Sequence, residues 1–264
     1  MKSFLLILLL FGLLMGLWAL FIEPQTLEVQ TYKLKSGKLK GLKIAFASDM
    51  HIAPRHQRRL KRIVDSLNSQ QADIIILGGD FVKGHKPSSS MPIDSIAAEL
   101  SRLQAPLGVF AVLGNHDWMY GGEEVTAALS QAGITILANN SIKLDFKGDS
   151  LCLSGVEDMI MRRPNISKAL KHCHYDTILI THSPDIFPDV PPRVLLTLAG
   201  HTHGGQVTLP LIGSPIVPSR YGQRYARGFI EEGGKQMIVS KGLGTSLLPL
   251  RFNTKPEIVR IIFE

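Results

Sequence analysis

Five polar clusters punctuate this chain, and nearly every one closes an apolar run. They are Asp49-Met50-His51, Gly79-Asp80, Gly114-Asn115-His116-Asp117, Thr181-His182 and Gly200-His201-Thr202-His203-Gly204. The preceding runs include Ile44–Ala47, Ile74–Leu77, Val109–Leu113 and Val194–Ala199, with Ile178–Thr181 leading into His182. They are short and almost wholly apolar, interrupted only by Thr197 and ended by Thr181, as strands covered on both faces are. Each cluster therefore falls where a buried strand gives way to a loop, the place where folds carry chemistry.

Between these strands lie helical patterns. Arg59–Ser69 carries Leu60, Ile63, Val64 and Leu67 on one face. Asp94–Leu103 reads as a second helix capped by Asp94, and Glu123–Ala132 as a third, ended by Gly133. A loop rich in Pro, Ser and Gly is expected over 84–92. Alternating strand and helix indicates an α/β chain. The second half changes to hairpin-like strands at Ile134–Leu137, Ile142–Phe146 and Leu151–Leu153, joined by Asn-Asn and Gly-Asp turns, with further strands at Gln236–Ser240 and Ile258–Phe263. The expected fold class is α/β, with two mixed β-sheets stacked as a sandwich and flanked by helices.

The first residues stand apart. Phe4–Ile22 is nineteen residues without a charge, spanning roughly 28 Å as a helix, close to a bilayer core. Trp18 sits near its far end, and the exit Ala19-Leu20-Phe21-Ile22-Glu23-Pro24 lacks the small-residue pattern of a cleavage site. The expectation is an uncleaved single-pass anchor in the inner or plasma membrane. Lys2 favours a cytoplasmic N-terminus, while Lys33, Lys35, Lys38 and Lys40 pull the other way, so the side of the membrane stays open. The expected division is an anchor over 1–23, a lead-in over 24–41 with a strand at Val29–Leu34, and one domain over 42–264.

A net charge of +7 suits an anionic partner such as a phosphate ester, an acidic lipid head group or nucleic acid, although no nucleic-acid-binding module is recognisable. Two cysteines, Cys152 and Cys173, are too few for a disulfide framework; they read as a single bridge or as two inert buried thiols, the second expected first because neither lies in a CxxC arrangement.

The cluster residues are the donors that divalent metals take: carboxylate, imidazole and amide oxygen. Two positions apart at a strand end, Asp49 and His51 face one way, as do His201 and His203. Asp80 can share its two oxygens between two cations. With Asn115 and His182 these make seven ligands, one of them shared, the number two adjacent ions need. Any one cluster alone reads more simply as a hydrogen-bonding loop; five in series do not.

The order Asp-x-His, Gly-Asp, Gly-Asn-His-Asp, Thr-His, Gly-His-Thr-His resembles the calcineurin-like metallophosphoesterase superfamily over about residues 42–264, and 200–213 is similar to its small bacterial membrane-associated phosphodiesterase branch. The resemblance implies one metal on Asp49, His51, Asp80 and His203 and a second on Asp80, Asn115, His182 and His201. Manganese, iron or zinc would serve, manganese first. It implies His116 as the catalytic residue and in-line attack by a hydroxide shared between the metals, on a phosphate-ester small molecule or a lipid-linked substrate, by a protein expected as a monomer. The alternative within the hydrolases is a pyrophosphatase acting on a nucleotide-diphosphate glycolipid; an inactive scaffold of the same fold ranks below both. Many relatives carry a second aspartate three residues after the bridging one; here that position is Lys83, so the partner that orients His116 is left open and the lysine is a candidate for meeting a substrate phosphate. Arg220, Arg224 and Arg227 form a candidate substrate wall.

Overall fold

Residues with alternating destinations build the frame. In the computed structural model, which describes residues 1–84 and 87–264, α1 (Lys2–Leu17) continues through tighter and wider turns to Gln25. There follow β1 (Glu28–Leu34), β2 (Lys43–Ala47), α2 (Gln57–Ser69), β3 (Ile74–Leu77), α3 (Ile93–Leu100), β4 (Val109–Ala111), α4 (Asn115–Gln131) and β5 (Thr135–Ile136). The second half comprises β6 (Asn140–Phe146), β7 (Asp149–Gly155), α5 (Ile166–Ala169), β8 (Asp176–Ile180), β9 (Leu196–Ala199), β10 (Gly228–Glu232), β11 (Lys235–Val239) and β12 (Glu257–Phe263).

The strands form two mixed six-stranded sheets, ordered β1-β12-β2-β3-β4-β5 and β10-β11-β9-β8-β7-β6. Ile44, Phe46, Ile74, Ile76, Ile178, Ile180, Leu196 and Leu198 fill the space between the sheets. Ala45, Ala47, Ile75 and Leu77, the alternate residues, pack under Leu60, Ile63, Val64 and Leu67 of α2 and Ile96 of α3. Such strands are apolar throughout because both faces are covered, and each buried aliphatic side chain contributes about 1.5–3 kcal/mol. The two layers of strand with helices outside are the fold class expected. Because β2, β3 and β4 are mutually parallel, as are β8 and β9, the loops that follow them leave by the carboxyl ends of neighbouring strands.

Several expectations need correction. Ile134–Leu137 does not enter a hairpin. Its β5 pairs parallel with β4 and ends the first sheet, and Asn139, in a left-handed conformation, starts the passage to the second. Asp94 is not a cap: Pro92 occupies that position, and Asp94 lies in the first turn, where its charge meets the positive helix end. The third helix starts at Asn115, eight residues before Glu123, and bends at Gly121. His85 and Lys86 in the 84–92 loop lie outside the described residues. Cys152 and Cys173 are not free thiols. β7 and the turn after α5 bring their Cα atoms to 5.4 Å, and they form a disulfide, within the reach of such a bond.

The helix from Lys2 to Gln25 is long and apolar enough to cross a membrane, and almost none of its most apolar stretch is covered by the rest of the protein. Its end is nonetheless tied down. Ala19 O accepts the N–H of Arg251, and the buried Glu23 carboxylate accepts from Trp18 Nε1 at 3.1 Å and from the N–H of Thr254 at 2.5 Å.

Candidate metal centre

The loops after β2, β3, β4, β8 and β9 bring all seven expected ligands into one buried cluster. Three overlapping groups have mutually close donor atoms: Asp49, His51 and His203; His51, Asp80 and His116; and Asp80, His182 and His201. Asp80 Oδ2 lies between the two halves, 3.5 Å from His51 Nε2 and 3.3 Å from His182 Nε2. Asn115 Oδ1 is 3.2 Å from His182 Nε2, His203 Nε2 is 3.5 Å from Asp49 Oδ1, and His51 and His203 approach Nε2 to Nε2 at 3.0 Å.

The means of convergence differs from the expectation. Asp49, His51, Asp80, His201 and His203 all have positive φ, between 44° and 69°, so strand alternation does not align Asp49 with His51 or His201 with His203. Each loop instead turns through the left-handed region, at a cost of about 1–3 kcal/mol per residue. Such strain is retained at functional sites when the surroundings hold it. Two glycines let the loops pass this closely: a Cβ on Gly79 would stand 2.5 Å from the Gly114 nitrogen, and one on Gly114 would stand 2.2 Å from Asp80 Oδ1.

The protonation pattern follows from burial and neighbours. Burial pushes His51 down to about 3 and His201 to about 4, and holds His203 well below the imidazole range. Burial lifts the Asp49 carboxyl to about 6. Burial would also lift Asp80, but His182, His51 and His116 together hold it well below the usual carboxylate range. Burial opposes a charge on His182, and Asp80, Asp49 and Asp158 outweigh it, so that imidazole is raised.

The donor set suits divalent cations. His182 Nδ1 donates to Gly78 O at 2.8 Å, and its Nε2 faces two oxygen acceptors, Asp80 Oδ2 and Asn115 Oδ1, where a divalent cation would take the place of the proton that Asp80 favours on this imidazole. A backbone carbonyl holding the distal N–H is how metal-bound imidazoles are oriented. His51 Nδ1 is buried without a hydrogen-bond partner. Oxygen and nitrogen donors in this mixture accept manganese, iron or zinc.

His116 stands at the rim of the cluster, edge-on to His51 with ring centroids 4.6 Å apart. Its Nδ1 is 2.5 Å from the carbonyl oxygen of Lys83. Lys83, where the resemblance led one to expect an aspartate, thus meets the histidine with its backbone. Asp117 points elsewhere: its carboxylate accepts the N–H groups of Asp80, Phe81, Val82 and Gly114. The basic stretch is largely engaged by protein partners. Arg220 pairs with Asp185, Arg224 with Glu232 at 2.8 Å, and Arg227 donates to Thr208, Thr254 and Gly204 O.

Two roles were not foreseen from sequence, those of Asp117 and Arg251. Asp117 had a visible signal, an acid in the first turn of a helix preceded by glycine. Arg251 had none. Its fully buried guanidinium gathers the carbonyls of Lys241, Gly242, Gly244 and Thr254, with Nη2 3.5 Å from His203 Nδ1.

The family model for calcineurin-like phosphoesterases matches residues 42–208. The uncharacterized metallophosphoesterase YkuE of Bacillus subtilis (strain 168) is 31% identical, covering 91% of this chain and 87% of its own length. Phosphodiesterase YaeI of Escherichia coli (strain K12) is 30% identical, covering 91% and 90%. A Danio rerio protein described as a transmembrane protein with metallophosphoesterase domain is 28% identical, covering 90% of this chain and 56% of its own.

Proposed function

This chain belongs to the calcineurin-like phosphoesterase family, and from that premise we propose that it is a membrane-anchored phosphodiesterase working with two divalent cations that share Asp80. The observation that carries the reading is the placement of Asp80 Oδ2 between His51 and His182. Asp49, His51, Asp80 and His203 would hold one ion, and Asp80, Asn115, His182 and His201 the other. Bound there, the ions would supply Lewis acidity at the phosphate and would acidify a water for in-line displacement at phosphorus. Residues 1–23 serve as the anchor, 24–41 as the lead-in and 42–264 as the catalytic domain. The apolar Lys2–Gln25 helix supports the anchor, as does a relative whose description names it a transmembrane protein.

The chain's own groups do the rest. Asn115 offers its amide oxygen to a cation while its neighbour His116 reaches the substrate. The Lys83 carbonyl fixes the His116 ring through Nδ1, which leaves Nε2 as the reacting nitrogen. With a proton on Nε2, that nitrogen steadies a phosphate oxygen and then passes the proton to the departing alkoxide, a step worth about 10²–10⁴-fold. Burial keeps the His51 and His201 imidazoles neutral, as metal binding requires, while His182, raised by Asp80, would give up its Nε2 proton to the ion.

The test is turnover of a soluble aryl phosphodiester by the full-length protein with manganese present. The expected result is activity in the wild type and a loss of about 10²–10⁴-fold in His116→Ala, with metal content retained. Equal turnover in the variant would remove His116 from the reaction, and no turnover in the wild type would remove the phosphodiesterase reading.

A further inference from the structure

Outside the N-terminal helix, the five most exposed large apolar side chains among the described residues fall on just two loops. Leu211, Ile212 and Ile216 are 108%, 66% and 75% exposed, and Leu247 and Leu248 are 85% and 55% exposed. Single exposed apolar residues are ordinary, but a cluster of them marks a surface that meets something apolar.

The two loops are joined side by side. Gln206 donates its amide N–H to Leu248 O at 2.7 Å and accepts the N–H of Ser246 at 2.8 Å, while Thr208 donates its N–H to Phe252 O at 2.8 Å. Both lie against the end of the N-terminal helix. Arg251, just past the second loop, donates its N–H to Ala19 O at 2.9 Å. Pro210, at the start of the first loop, lines a cavity with Met15, Trp18 and Phe252. The helix itself stays apolar and open on this approach, with Phe21 67% and Ile22 47% exposed. The helix end and the two loops are therefore neighbours, with Glu23, Glu28, Lys241 and Lys255 lining the same cavity between the apolar helix and the apolar tips.

We propose that loops 209–217 and 244–250 seat in the interfacial layer of the same bilayer that the helix enters, as a second membrane contact. The occupant is the lipid surface, because the helix that adjoins the loops has the length and composition to be buried in it and its tied-down end gives the domain little freedom to swing away. Short apolar projections of this kind enter to about 5–10 Å, the head-group and upper acyl region.

The contact bears directly on the candidate metal centre. The first loop leaves the segment that carries His201 and His203, with Ser214 Oγ donating to Gly204 O at 2.9 Å. The second leaves the segment where Gly244 donates its N–H to Asp49 O at 2.6 Å. Seating both loops holds the ligand-bearing segments at the membrane surface. The inference rests on the membrane-anchor part of the proposed function and is independent of its chemistry.

The test uses the full chain in nanodiscs of phosphatidylcholine with bromine at shallow acyl positions. Ile212→Trp and Leu247→Trp place reporters at sites already open, where the new side chain displaces nothing buried. Tyr175→Trp places a control at the opposite ends of the strands, beside the start of β8. The expected result is that the emission added at 212 and 247 is quenched by brominated lipid at least as strongly as that of Trp18, while the emission added at 175 is not. Unquenched emission at 212 and 247 would overturn the proposal, whether the loops stand in water or pack on a second copy of the chain. The readout needs no turnover, so an inactive protein with quenched loops would sink the phosphodiesterase reading alone.

Discussion

Asp80 and Asp117 clamp one another through the backbone. Asp117 Oδ2 accepts the N–H of Asp80 at 2.8 Å, and Asp80 Oδ1 accepts the N–H of His116, the residue before Asp117, at 2.9 Å. The carboxylate placed between the two halves of the metal cluster is thus held by the helix that carries His116. Burial and the charge of Asp80 push the Asp117 carboxyl up to about 7, against the four N–H groups that favour its charged form.

Asp117→Ala would leave those four N–H groups buried without an acceptor. At about 1–3 kcal/mol for a stranded buried donor, the expected loss is at least about 3 kcal/mol, read as a melting temperature lower by roughly 6–10 °C. Metal content should fall with it because the Asp80 loop loses its hold. Asp117→Asn, which keeps one acceptor oxygen, should recover part of the loss. Thermal unfolding with metal analysis decides; unchanged metal content in both variants would show that the clamp does not position Asp80.

Lys83 meets His116 with its carbonyl, which every residue possesses. Lys83→Ala is therefore expected to keep kcat within about threefold of wild type, while His116→Ala loses about 10²–10⁴-fold. Steady-state kinetics on a soluble phosphodiester separates the cases. A raised KM in Lys83→Ala would put the ammonium on the substrate phosphate instead.

Much of the site could be read from spacing because the chemistry is confined to strand ends, and Ile44–Ala47, Ile74–Leu77 and Leu196–Ala199 are apolar enough to be recognised as buried strands without any contact information. The geometry that unites the ligands was not readable. Positive φ at Asp49, His51, Asp80, His201 and His203 is imposed by the surrounding loops, and none of these residue types announces it. Tertiary pairing was equally hidden. Cys152 and Cys173, twenty-one positions apart, bond because β7 and α5 fold side by side, and Arg251 is buried where the chain from Lys241 to Thr254 folds four of its own carbonyls onto the guanidinium. The start of α4 was misplaced because its first turn is rich in polar motif residues and lacks an apolar stripe; Asp117, a capping acid, is what begins it.

The disulfide closes a loop of twenty-one positions between β7 and the turn after α5. Cys152→Ser combined with Cys173→Ser is expected to lower stability by about 3 kcal/mol. Turnover at room temperature should be unchanged, since neither sulfur is among the candidate ligands. Denaturant unfolding in parallel with the kinetic assay checks this; a variant equal in stability to wild type would mean that the bond does not constrain the chain in solution.

The most direct measurement is anomalous diffraction from crystals of the full-length protein grown with manganese, alongside the Asp80→Asn variant. Two peaks about 3.5–4 Å apart, one on each side of the Asp80 carboxylate and both weakened in the variant, are the predicted result. A single peak remote from Asp80, or none within reach of His51 and His182, would contradict the shared-carboxylate centre.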